Sequence, residues 1–171
     1  MVTRLAQLWE ESTLALLCAV AACGYFLWLA LVLSIIDIRT HRLPDRLVLP
    51  AYPLAGVLLL AAALAAKEPH HALNAAGGAL ALGALYWLLW ALYPQGMGFG
   101  DVKLAGVLGL YLGFLGWSHV LWGAAAGFVA GGLWGVAVMA SGRGTAKTAI
   151  PFGPAMLVGA GMVMALLPAP G

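Results

Sequence analysis

The sequence predicts an all-α, polytopic membrane protein with six transmembrane helices, and three observations predict it. Hydrophobic residues make up 64% of the 171-residue chain and charged residues only 8%, against about 25% charged in an ordinary globular domain. The few charges fall in short clusters that separate long uncharged runs. There are 23 glycines, many at the small-xxx-small spacing that lets membrane helices approach closely, such as Gly109/Gly113 and Gly127/Gly131. A soluble protein this apolar would expose large hydrophobic patches and aggregate. Lipid is the natural solvent for such a surface, and a backbone in lipid must satisfy its own hydrogen bonds.

The charges set the elements in order. The first span covers about 13–36, inside the 25 uncharged residues between Glu11 and Asp37, enough to cross a hydrocarbon core of about 30 Å. The second covers 47–66 and stops at Lys67-Glu68. The third, 72–92, lies in a stretch without formal charge. The fourth is shorter, 101–117, and the fifth and sixth cover 120–140 and 149–167. No repeat or separate soluble domain interrupts them, so residues 1–171 read as one membrane-embedded domain.

Basic residues fix the orientation. With the segment after the first span in the cytoplasm, Arg39, Arg42, Arg46, Lys103, Arg143 and Lys147 lie inside, and only Arg4 and Lys67 lie outside. This is the positive-inside pattern, and it sends both chain ends outward.

Other function classes lack support. A net charge of +2 gives no footing for nucleic acid. Cys18 and Cys23 form no CxxC pair and sit in the first apolar run, so neither a zinc site nor any other metal is expected. Val20-Ala21-Ala22-Cys23 resembles a lipoprotein cleavage box, but the apolar run continues past it to Ile36. The segment 142–148 hints at a phosphate loop yet lacks the Gly-Lys-Ser/Thr adjacency. His41, His70, His71 and His119 read as loop or helix-end residues; a metal site using His70-His71 is the alternative, but adjacent residues on a helix point apart.

Six acids remain, and their placement is informative. Glu10, Glu11 and Glu68 fall in outer segments, whereas Asp37, Asp45 and Asp101 share the cytoplasmic side. A helix N-terminus favours an acid, which by itself would account for Asp101. Asp37 could be an interfacial charge paired with Arg39 or Arg42, although a carboxylate at a helix C-terminus opposes the dipole. Together the two suit a carboxylate dyad. Two close carboxyls cannot both ionise cheaply, so one keeps a proton. The ionised one can deprotonate water while the neutral one hydrogen-bonds a scissile carbonyl, without metal, thiol, serine or cofactor. The run Gly96-Met97-Gly98-Phe99-Gly100-Asp101 places an open, side-chain-poor strip beside one carboxylate, where an extended peptide can approach.

Gly98-Phe99-Gly100-Asp101 is the GxGD signature of intramembrane aspartic proteases, and the stretch 96–104 resembles type IV prepilin peptidases. Ile36-Asp37 followed by Leu43-Pro44-Asp45-Arg46-Leu47-Val48-Leu49-Pro50 is similar to their first-aspartate segment. Ile150-Pro151-Phe152-Gly153-Pro154 resembles a third element, and the likeness covers about residues 30–165. The resemblance implies removal of a basic leader from the hydrophobic stem of prepilins or pseudopilins. It makes Asp37 and Asp101 the catalytic pair and Asp45, with Pro44, structural, Asp45 as a cap of the second helix. Gly98, Phe99, Gly100, Lys103 and Pro151 to Pro154 become site-shaping. Lys103 would attract an acidic residue of the substrate, tune the dyad or anchor the interface. The sequence has no counterpart of the zinc-binding, paired-CxxC insertion of larger members, which implies cleavage without N-methylation. A proton or cation transporter, a catalytically inactive pilus-assembly subunit and a presenilin-like protease are the alternatives. Transport sites favour mid-span carboxylates, and these lie at the span edges.

Overall fold

The computed structural model describes residues 1–141 and 151–169. Arg143, Lys147, the segment 142–148 and Ile150 lie outside the described residues. Those described form seven α-helices and no strand: α1 (Val2–Glu11), α2 (Thr13–Thr40), α3 (Asp45–Ala65), α4 (His70–Leu92), α5 (Phe99–Leu115), α6 (Trp117–Ala140) and α7 (Gly153–Leu166). Four of them, α2, α3, α4 and α6, are long and apolar enough to cross a membrane. The shorter pair, α5 and α7, have 17 and 14 residues.

Helix α1 precedes the first expected span and was not foreseen. It buries Met1, Arg4 and Leu8 and exposes Val2 and Trp9, an amphipathic stripe at helical spacing. Arg4 donates to Glu68, in the turn between α3 and α4, which ties α1 to that turn. Ser12 then starts α2, its hydroxyl accepting from the Ala15 N–H at 3.3 Å as an N-cap.

Helix α5 occupies the centre of the bundle. Thirteen of its 17 residues are buried, and α4 packs against it more extensively than any other two helices pack. Glycine permits that approach. A methyl at Gly78 of α4 would lie 2.8 Å from Gly113 Cα, and one at Gly113 would lie 3.0 Å from Ala75 Cα. Side chains there would force the helices apart.

The sequence places a break of a few residues between its fourth and fifth spans; the chain uses one. Gly116, at φ 128 and ψ 166, both ends α5 and starts α6. Only glycine adopts that conformation readily. The resulting hairpin puts the N-terminus of α5 and the C-terminus of α6 at one end of the bundle.

Candidate active site

Asp37 lies in the last turn of α2. The helix stops four residues later, where His41 turns left-handed (φ 51) and its N–H donates to the Asp37 carbonyl at 2.8 Å. A three-residue link, 42–44, leads to α3, whose N-cap is Pro44. On the other side of the site the chain leaves α4 at Tyr93, turns through 94–97 and re-enters helix at Phe99. The alternating glycines therefore divide between turn and helix: Gly96 and Gly98 precede α5, and Gly100 already belongs to it.

Both carboxylates are nearly inaccessible from outside the cavity they line, Asp37 at 4% exposure and Asp101 at 7%. The cavity holds about 580 Å³ and takes its walls from three segments distant in sequence. Asp37 and Leu43 come from the α2–α3 connection, Gly98 to Asp101 from the start of α5, and Pro151 and Phe152 from the entry to α7. Each aspartate is held by one backbone N–H. Gly98 donates to Asp101 Oδ2 at 3.2 Å, so a carboxylate at the third position of α5 reaches back to its N-cap. Gly153, the first residue of α7, donates to Asp37 Oδ2 at 3.0 Å.

Of the residues singled out in the sequence, Asp37, Asp101, Gly98, Phe99, Gly100, Pro151 and Phe152 line the cavity, with Asp45 at its rim. Gly153 touches Asp37 from behind. Pro154, in the first turn of α7, Lys103 and Pro44 stand outside the lining. Asp45 differs from the expectation. It is not the cap of α3 but the first residue of it, and its carboxylate receives both hydrogen bonds of Lys103, at 2.7 and 2.8 Å. Lys103 is thereby committed to Asp45 and lies 5.2 Å from the Phe99 ring centre. Phe99 in turn meets Trp90 edge-on at 4.9 Å.

A profile of the type IV leader peptidase family matches residues 24–136, a segment that contains both aspartates. The chain belongs to this family. The match ends before Pro151, so the third element rests on the geometry just given. Among relatives, the prepilin leader peptidase/N-methyltransferase of Stutzerimonas stutzeri is 34% identical over 77% of this chain and 44% of its own length. Its counterpart in Xanthomonas campestris pv. campestris is 37% identical over 74% and 43%, and that of Escherichia coli K12 is 32% identical over 62% and 54%. The chain thus spans about half the length of the relatives it matches. No solved structure matches it significantly.

For a leader peptidase family member, sequence reasoning missed part of the wall. His41, Arg42, Leu43, Pro94, Gln95 and Met97 also line the cavity. Leu43 had a readable signal, since it opens the Leu-Pro-Asp segment. A methyl at Gly100 would come within 2.9 Å of Leu43 Cβ, so that glycine lets the start of α5 rest on the α2–α3 link. The others sit in turns whose proximity arises only when α2, α4 and α5 pack together.

Proposed function

We propose that this chain is an aspartic endopeptidase that removes the leader of prepilin-like precursors at the cytoplasmic face of a prokaryotic inner membrane. The observation that carries the reading is the meeting of Asp37 and Asp101, sixty-four positions apart in sequence, in one cavity at one end of the bundle. Carboxyls sharing a site hold one proton between them. The ionised member takes a proton from water as it attacks the scissile carbonyl, and the neutral member donates to the developing oxyanion. The proton taken from water then passes to the leaving nitrogen as the peptide bond breaks. The pair acts as a unit, so acid and base are properties of the dyad.

The names of the relatives supply the substrate class, a prepilin. The hydrophobic stem of such a precursor suits the lipid beside the cavity. The side-chain-poor strip from Gly96 to Gly100 offers the extended peptide its approach. The reading covers cleavage of the leader alone. In this reading α2 to α7 all cross the membrane. Helix α5, at 17 residues, reaches the lower limit for a span, and α7 is shorter still. The excess of basic residues at the dyad end supports a cytoplasmic site and outward chain ends.

Purified chain in detergent should shorten a candidate prepilin. Asp37→Asn and Asp101→Asn should each abolish cleavage, while Asp45→Asn keeps substantial turnover. Loss of all turnover in folded Asp45→Asn would remove Asp37 or Asp101 from the dyad. Proton flux into liposomes without any cleavage would replace the peptidase reading by a transporter.

A further inference from the structure

At the end of α4 remote from the cavity, Glu68, His70 and His71 converge. One ligand-type atom from each lies within 4.8 Å of the other two. Adjacent helical residues ordinarily diverge, but these two open the helix, and their ring centres are 4.3 Å apart. Both are helix-end residues, as expected, but His71 is buried against Phe114 of α5 and only His70 faces outward.

The hydrogen bonds around His71 decide what its ring can do. Nδ1 is 2.7 Å from the Phe114 carbonyl oxygen. A carbonyl only accepts, so Nδ1 carries the proton and donates. In the neutral ring Nε2 then presents a lone pair, and it faces Glu68 Oε2 at 3.3 Å. Two acceptors in that position call for a cation to join them. Glu68 is itself oriented by the Arg4 guanidinium. These are the outer bonds that accompany metal ligands: an imidazole N–H given to a carbonyl, and a carboxylate fixed by a donor. Arg4 and the N-terminal end of α4 both repel a cation. Arg4 uses only part of the accepting capacity of the carboxylate, which has room for about four hydrogen bonds.

We propose that Glu68, His70 and His71 form a zinc site. Two imidazoles and one carboxylate, with a fourth position open to water past exposed His70, are a donor set that suits Zn²⁺. The ion would fasten four elements at once: α1 through Arg4, the α3–α4 turn through Glu68, α4 through the histidines and α5 through the Phe114 carbonyl. It stands the length of α4 from the dyad, roughly 35 Å for a helix of this size. Its role is therefore to hold the outer end of the bundle and not to take part in cleavage.

The test is zinc titration of the metal-stripped, detergent-solubilised chain against a chromophoric chelator, with Co²⁺ as a spectroscopic probe. One Zn²⁺ per chain is expected, with the intense visible bands of four-coordinate Co²⁺. His70→Gln, exposed and so safe for folding, should weaken binding by at least about tenfold, as loss of even an outer-shell partner does. Zinc should also raise the melting temperature of the native chain and not of His70→Gln. Zinc binding unaltered by His70→Gln, or no binding at all, overturns the proposal. So does a native chain whose melting temperature responds to pH but not to zinc, since a proton then joins His71 to Glu68.

Discussion

Replacing Gly153 by alanine tests the dyad without touching either carboxylate. A methyl there would stand 2.8 Å from Asp37 Oδ2 and 3.5 Å from Asp37 Cγ. Leu43 Cδ2, at 3.4 Å, leaves no slack on that side. Ordinary contact begins near 3.4 Å, so the carboxylate must retreat by about 0.6 Å, where about 1 Å of misplacement costs on the order of 100-fold in rate. The retreat also stretches the 3.0 Å bond from the Gly153 N–H; a hydrogen bond to a charged group contributes about 1.5–3 kcal/mol. Both routes give a fall in kcat of about 10- to 100-fold. Initial rates of prepilin cleavage in detergent would measure it, with thermal unfolding run in parallel. Gly132→Ala serves as the control, because a methyl there meets nothing within 4 Å. A folded Gly153→Ala protein that cleaves within about twofold of the native rate would show that this contact does not position Asp37.

Three further outcomes follow from the same contacts. Gly98→Ala should retain most activity, since its methyl would sit at an ordinary 3.5 Å from Asp101 Oδ2, whereas Gly100→Ala, pressed to 2.9 Å against Leu43 Cβ, should lose at least about tenfold in kcat. Lys103→Met should cost no more than about 1 kcal/mol of stability, because its pair with Asp45 is partly exposed. Its pH–rate profile should keep the native shape; a displaced profile would return Lys103 to the electrostatics of the dyad. Gly116→Ala, at φ 128, should lower stability by about 1–3 kcal/mol while cleavage per folded molecule stays unchanged, as measured by melting temperature and active-fraction-corrected rate.

The helical class and most of the site were legible because charge is scarce. With six acids in the chain, two beside glycine- and proline-rich turns stand out, and both line the cavity. What stayed hidden depends on packing between distant segments. Helix α1 has an apolar stripe only three residues deep, Met1, Arg4 and Leu8, and one of the three is an arginine whose burial depends on Glu68. The break at Gly116 looked like any other glycine in a chain full of them. The pairing of Lys103 with Asp45 spans 58 positions, and neither residue type names its partner. The closeness of the His70 and His71 rings, 4.3 Å between centres, depends on side-chain torsions that spacing along a helix does not give.

The two short helices become intelligible through the aspartates. A carboxylate at the C-terminal end of α2 is opposed by that helix's dipole, yet Asp37 is buried there. The offset comes from α7, whose first residue points its free N–H at Asp37 Oδ2. Asp101 is served the same way by the Gly98 N–H at the start of α5. The N-terminal N–H groups of a helix have no partner within it and carry partial positive charge, so each aspartate rests on the favourable end of one helix. For that to happen, α5 and α7 must begin beside the carboxylates. The 17 residues of α5 and the 14 of α7 are counted from those starts. Among the described residues, the side-chain hydrogen bonds of both aspartates use Oδ2 alone. Oδ1 of each accepts from none of them. Starting α5 and α7 beside the aspartates is thus what gives each buried acid a backbone donor in place of bulk water.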